Sequence, residues 1–410
     1  MTKITVLDSI MGTGKTSWAI QHMNEATSQE KFIYITPFLD EVARVKEGVT
    51  GRHFIEPNNA NDDKRKMTSL KDLIVKGENI TSTHSLFQTA DDELIELLTD
   101  SGYTLILDEV MDCVEPVNVK ASDITKLERS GDIRVLDNRV DWIGDPYDDS
   151  RYRDIRLLAQ AGNLFYHRGK FLVWAFPPAV FRAVDKVVIM TYLFRGQMQR
   201  YYFDLFEFKY DYHAVAKVGE RYELTEYNEK NESREEYFRL IDIFDGKQNE
   251  IGERKNALSA SYLRRADIGV MTAINKAVYN FFYNVAGAKK SDVYYSTLKE
   301  VEKMIQPRGY KEGTRKQGEK ADVCIPLNAR ATNSYQDRWA IAYIFNRYMN
   351  PHVASFFQDN GVMVDEDMLA VSDLLQWIWR SRIRNGGKVM LYLPSSRMRG
   401  LLKAWANYEI

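Results

Sequence analysis

The chain is poor in the residues that build metal or disulfide scaffolds. Its 410 residues include two cysteines, Cys113 and Cys324, and six histidines. Two cysteines cannot make a disulfide framework, nor a zinc site by themselves, and no Cys/His cluster is present, so a reducing cytoplasmic setting is expected. No apolar run is long enough to span a bilayer, and the N-terminus carries no basic-then-apolar leader. Both absences argue against a membrane or secreted protein. Neither sign of charge dominates: 56 Lys and Arg stand against 58 Asp and Glu, a net charge of -2. A nucleic-acid partner would have to be met by a local basic surface, because the whole molecule offers no basic field. Tandem repeats, low-complexity tracts and a nuclease-like set of carboxylates are also missing.

What is present is the make-up of a globular protein, 44% hydrophobic and 28% charged, with length for two or three domains. Apolar runs at 32–36, 103–107, 171–174 and 187–191 read as strands, separated by segments of helical period. The second half repeats the alternation, with strands expected at 238–243, 292–296, 323–327 and 389–393 and helices at 336–348 and 368–384. Strands alternating with helices predict α/β lobes on parallel sheets. Residues 111–168 are charged and less regular and read as a mostly helical insertion. Residues 201–235 read as a β-rich aromatic connection ending in a polar linker. The expected layout is a first lobe over 1–200, the connection over 201–235 and a second lobe over 236–410.

Two motifs carry chemistry. In the first, the strand Ile4-Thr5-Val6-Leu7 runs into Gly12-Thr13-Gly14-Lys15-Thr16-Ser17, a glycine loop that opens a helix. Such a loop closes backbone N–H groups around phosphate oxygens, and the helix N-terminus adds positive potential. Lys15 would reach the β- and γ-phosphates of a nucleoside triphosphate, and the Thr16 hydroxyl would ligate Mg²⁺. The pattern departs from the usual one at Ser9, where a glycine is expected, and a plain helix N-cap after a tight turn is the competing reading. In the second motif, Leu105-Ile106-Leu107 runs into Asp108-Glu109, two carboxylates at the C-terminal end of a buried strand, where α/β ligand sites lie. Asp108 would hold Mg²⁺ through water and Glu109 would activate the attacking water. A solvated strand end is the alternative for that pair on its own.

The two motifs together resemble motifs I and II of the superfamily 2 DExx-box helicases and translocases, whose phosphate loop often lacks the first glycine. The resemblance extends along most of the chain. Tyr34-Ile35-Thr36-Pro37 is similar to motif Ia, Thr83-His84-Ser85-Leu86-Phe87 to the threonine element before motif II, and Met190-Thr191-Tyr192-Leu193 to motif III. In the second half, Asn328-Ala329-Arg330-Ala331-Thr332-Asn333 resembles motif V, and residues 376–384 resemble motif VI. The tail from 328 to 398 is similar to phage-encoded DEAD-like helicases of phage replication.

The resemblance implies two tandem RecA-like lobes binding Mg-ATP, with Gln376, Arg380 and a second arginine facing the nucleotide from the second lobe. The family's second arginine falls on Ile383 here, so Arg382 and Arg384 compete for the role; helical period favours Arg384, four residues beyond Arg380. A basic amphipathic helix packed on Leu375, Trp377 and Ile378 is the plain alternative for this segment. The implied nucleic-acid contacts are Thr36, Pro37, Thr83, His84, Asn328, Arg330 and Thr332, mostly to phosphates, with single-stranded or forked DNA as the expected partner alongside other replication proteins. The basic segment 311–320 is either a phosphate-binding loop or a solvated one. Two other functional classes share parts of the pattern: a terminase-type packaging ATPase, and an ATP-gated scaffold that binds nucleic acid without unwinding it.

Overall fold

The computed structural model describes residues 2–37, 39–310, 323–327 and 334–410. They fall into two compact units, one of residues 1–9, 13–227 and 349–364, the other of residues 10–12, 228–348 and 365–410.

The first unit is built on strands Lys3–Asp8 (β1), Lys31–Thr36 (β2), Phe54–Ile55 (β3), Asn79–Thr83 (β4) and Tyr103–Asp108 (β5). All six residues of β5 are buried, as a continuous apolar run in the middle of a parallel sheet requires. Helices Lys15–Glu25, Leu39–Gly48, Lys66–Val75 and Asp92–Thr99 form the crossovers.

Five further strands make the insertion: Val114–Pro116 (β6), Ile133–Leu136 (β7), Arg139–Trp142 (β8), Leu164–His167 (β9) and Phe171–Ala175 (β10). They pair antiparallel in the order β6-β10-β9-β8-β7. Residues 111–168 are therefore not mostly helical. The helices Ala121–Ser130 and Arg153–Gln160 supply Ile124, Leu127, Ile155 and Ala159 to a small core over this sheet. The reason lies in the turns. Asp137 and Asn138 both adopt positive φ, 48° and 64°, the two-residue loop whose twist suits a tight hairpin, and Leu136 pairs with Arg139 across it.

The main sheet is completed by Lys186–Thr191 (β11), Tyr210–Val218 (β12) and Arg221–Glu226 (β13), giving the order β13-β12-β1-β11-β5-β2-β4-β3. Every pair is parallel except β12 with β13. Residues 210–226 thus extend the first sheet instead of forming a separate connection. The aromatic run before them is helical: Tyr201, Tyr202 and Phe203 lie buried in the helix Met198–Leu205. The helix Pro351–Asp359, encoded far downstream, also belongs to this unit. It packs Phe356 against Phe165 and His352 against Phe171, and Asp359 takes a bidentate ion pair from Arg168 at 2.6 and 2.7 Å.

The second unit carries Ile241–Ile243 (β14), Val293–Ser296 (β15), Ala340–Tyr343 (β16) and Val389–Tyr392 (β17), a parallel sheet in the order β14-β17-β16-β15. The chain is thus mixed α/β with parallel sheets in both units, as the alternation predicts. Three local expectations are corrected. Residues 336–348 form no helix: Ala340, Ile341, Ala342 and Tyr343 are all buried, and β16 sits between β15 and β17, where every side chain needs an apolar neighbour. Of residues 238–243 only Ile241–Ile243 is strand, because Arg234–Phe238 is helical. The helix expected over 368–384 is Glu366–Ile378, capped at Trp379 and followed by extended Ser381, ψ -177°, before a short 3₁₀ turn Arg382–Asn385.

Candidate functional site

β1, β11 and β5 end level with one another, Asp8 paired with Thr191 and Met190 with Asp108. The segments that follow β1 and β5 therefore leave the same edge of the sheet, with β11 between them. Asp8 itself is spent on the scaffold. Its buried carboxylate accepts from the backbone N–H of Leu193 at 2.7 Å and of Phe194 at 2.8 Å, pinning the turn after β11.

Beyond Asp8 the chain turns through Gly12 and Gly14, at φ 90° and 98°, into the helix Lys15–Glu25. Gly14, at the N-cap, has no side chain to cap this helix, and no acidic residue stands in its first turn to offset the N-terminal positive potential. The Gly14 carbonyl accepts the first helical bond, from Trp18 N at 2.8 Å. Glycine is needed here twice over: φ is left-handed, and a β-carbon would lie 2.0 Å from Cε1 of Tyr222. Ser9 explains its own departure from the usual pattern. It continues the strand, its N–H bonded to Thr191 O at 3.1 Å, and its Oγ accepts from Val215 N of β12 at 2.9 Å. Lys15 donates its ammonium to the Ser9 carbonyl, curled over its own loop. Thr13, Thr16 and Ser17 are half-exposed along the turn.

At the end of β5, Asp108 is buried and accepts a hydrogen bond from the Tyr34 hydroxyl at 2.9 Å. Burial, with the neighbouring Glu109 charge, pushes its carboxyl up to about 7, against the Tyr34 hydrogen bond and the Lys15 ammonium, which pull it down. Added positive charge beside this carboxyl, such as a divalent ion would supply, would favour its ionised form. Glu109 follows at φ 70°, a left-handed conformation that costs a non-glycine residue about 1–2 kcal/mol. Its N–H bonds to Met190 O at 2.9 Å, and Thr191 Oγ1 lies 3.4 Å from its Oε2. Strain held in this way concentrates at functional positions. Sequence reasoning gave Tyr34 a place in the motif Ia resemblance but not its contact with Asp108, and did not single out Tyr222 within the β-rich aromatic segment.

In the second unit, Gln376 is half-buried near the end of its helix, and Arg380 is buried, its Nε donating to Gln376 O at 3.3 Å. Because the helix stops at Ile378, Arg384 does not continue the face that carries Gln376, and the periodicity that favoured it over Arg382 is broken. Arg384 is exposed, whereas Arg382 donates to Lys388 O at 2.6 Å and lies over the Trp339 ring. Trp377 is wholly buried and donates to Ser296 Oγ at 2.6 Å, so the apolar side of this helix is core.

The expected nucleic-acid contacts are unevenly placed. Thr36 is fully buried and His84 is buried, so neither side chain stands open to a strand, whereas Pro37 and Thr83 are half-exposed. Asn328, Arg330 and Thr332, with the basic segment 311–320, lie outside the described residues. Among the described residues no group of three or more His, Cys, Asp and Glu is arranged to hold a metal, and no helix is long and apolar enough to cross a membrane.

Fold and site define an α/β protein whose parallel sheet carries a glycine turn and an acidic strand end on one edge. The chain belongs to the YonV family. Residues 114–174 match the YonV middle domain, and residues 235–406 match the YonV C-terminal Rossmann-like domain. Over 420 aligned residues it is 33% identical to the SPbeta prophage-derived uncharacterized protein YonV of Bacillus subtilis (strain 168), with all of both chains covered. Among solved structures it is similar to S. tokodaii Xpd4, at 12% identity and a TM-score of 0.49, over all of this chain and 94% of that one. It is also similar to the DUF1998 helicase MrfA bound to DNA and AMPPNP, at 10% identity and a TM-score of 0.35, over all of this chain and 48% of that one.

Proposed function

We propose that this protein is an ATP hydrolase that works on nucleic acid as a helicase or translocase. The observation that carries the reading is the shared edge of β1 and β5, which sets the helix opening at Lys15 and Thr16 one strand apart from buried Asp108 and half-exposed Glu109. Gly12, Thr13 and Gly14 turn backbone amides toward a triphosphate, with Ser17 extending the turn, and Lys15 exchanges the Ser9 carbonyl for phosphate oxygens. Thr16 and Asp108 would hold Mg²⁺, and the residues fit it: a hydroxyl and a buried carboxylate whose ionisation is disfavoured without added positive charge. Bound there, Mg²⁺ would neutralise charge on the transferring phosphoryl group. Glu109, oriented by Thr191, takes a proton from the attacking water. On the family resemblance we assign Gln376, Arg380 and either Arg382 or Arg384 to supply charge and hydrogen bonds to the transferring phosphoryl group. ATP-linked change in grip then moves the protein along single-stranded or forked DNA. We assign this activity to phage replication in the host cytoplasm; the prophage origin of the YonV relative supports the phage setting alone.

The test is trapping. Glu109→Gln should bind ATP and hold a single-stranded oligonucleotide in an ATP-dependent complex that Lys15→Ala cannot form. An oligonucleotide affinity that ignores ATP in both variants would contradict the reading. A scaffold without unwinding would show the trapped complex but no strand separation by the wild-type chain.

A further inference from the structure

We propose that Tyr222 is the platform on which the base of the bound nucleotide stacks, an inference that rests on the nucleotide reading of the same site. The argument begins with direction. Across the sheet the order is β13-β12-β1-β11-β5. The acidic pair stands on the β5 side of the glycine turn, so the terminal phosphate must point that way for Glu109 to serve its water. The nucleoside end then points to the other side of β1, toward β12 and β13. The hairpin reaches the correct end of the sheet: β12 runs parallel to β1 with Leu7 opposite His213 and continues to Val218, and Tyr222 lies opposite Lys217 on the returning strand.

Tyr222 is held there by purpose-made contacts. Its backbone N–H donates to Gln21 Oε1 at 2.9 Å, and its carbonyl accepts from Gln21 Nε2 at 3.1 Å, so one amide of the glycine-turn helix clamps the strand. Next to it Arg221 reaches both carboxylate oxygens of Glu25 on the same helix, each at 2.7 Å. The ring edge fills the space that a β-carbon on Gly14 would take, yet the residue is only half-buried, and among the described residues its hydroxyl has no hydrogen-bond partner. An aromatic side chain anchored through its backbone, touching the turn and still partly open, is suited to take a flat ligand. Tyrosine reads the π-face of a base and not its edge, so the site holds ATP and GTP alike, and stacking contributes on the order of 10-fold in affinity.

The experiment compares ATP with inorganic tripolyphosphate, which has the phosphates and no base, by calorimetry on the full-length chain with Mg²⁺. Tyr222→Ala is expected to weaken ATP about 10-fold while tripolyphosphate binds as before, and Tyr222→Phe and Tyr222→Trp are expected to keep wild-type ATP affinity. Unchanged ATP affinity in Tyr222→Ala overturns the inference and leaves the nucleotide reading standing. Equal weakening of both probes also overturns it, since the ring would then be supporting the turn alone. A wild-type chain that binds neither probe overturns both.

Discussion

Thr191 Oγ1 lies 3.4 Å from Oε2 of Glu109, a link from the end of β11 to the end of β5. It helps to hold the carboxylate proposed to take a proton from water. Thr191→Val removes the link at constant volume. ATP hydrolysis should fall about 10- to 100-fold with ATP affinity unchanged, read by single-turnover kinetics beside a binding titration. Equal loss in both would show that Thr191 supports the fold and not the carboxylate.

Glu109 holds its position at φ 70°. Glycine accepts that conformation without penalty and pays in unfolded-chain freedom, so Glu109→Gly should unfold within about 1 kcal/mol of wild type while hydrolysis is lost. Glu109→Val, β-branched at the same φ, should be destabilised by more than about 1 kcal/mol. Urea titrations of the two variants check both statements.

Arg234 is wholly buried in the second unit. It donates to Glu232 at 2.7 Å, to Glu229 at 3.3 Å and to main-chain oxygens of Trp405 and Ile410 at 3.2 and 2.6 Å. The guanidinium ties the start of this unit to its last helix. Arg234→Ala removes a buried charged donor from two carboxylates and two main-chain oxygens and should cost about 3–5 kcal/mol. Thermal unfolding should show the loss.

His167 is buried between β9 and the helix Pro351–Asp359, with Ser355 Oγ at 2.8 Å. Burial holds its imidazole below the usual histidine value, aided by Arg168 and His352 and opposed by Asp359. The folded state therefore binds the proton less readily than the unfolded one. Its contribution to stability is complete above the ordinary histidine pKa of about 6.5 and is lost as pH falls through the lower folded value. Lowering the pH from about 7.5 to about 5 should reduce the urea midpoint, and His167→Gln should flatten that slope.

The central strands were legible because buried parallel strands are near-continuous apolar runs, as Tyr103–Asp108 shows. The glycine turn and the acidic pair were legible for the same reason: each sits where such a run stops. Antiparallel strands of the insertion carry weaker patterns, and the signal that would have revealed them is the Asp137-Asn138 hairpin turn. Residues 340–343 misled because a short apolar run fits a helix as well as a strand, and only its place between two other strands decides. Arg384 was judged by a helical period that Ser381 interrupts. Tyr34 touches Asp108 on the neighbouring strand and Tyr222 touches the glycine turn at Gly14, contacts between residues far apart in sequence that no local pattern announces.

The most direct test is ATP turnover by the full-length chain with and without single-stranded DNA, beside Lys15→Ala and Glu109→Gln. The account predicts turnover that DNA stimulates and that both substitutions reduce by at least about 10³-fold. Turnover that survives Lys15→Ala, or none in the wild-type chain with any nucleic acid, would contradict it.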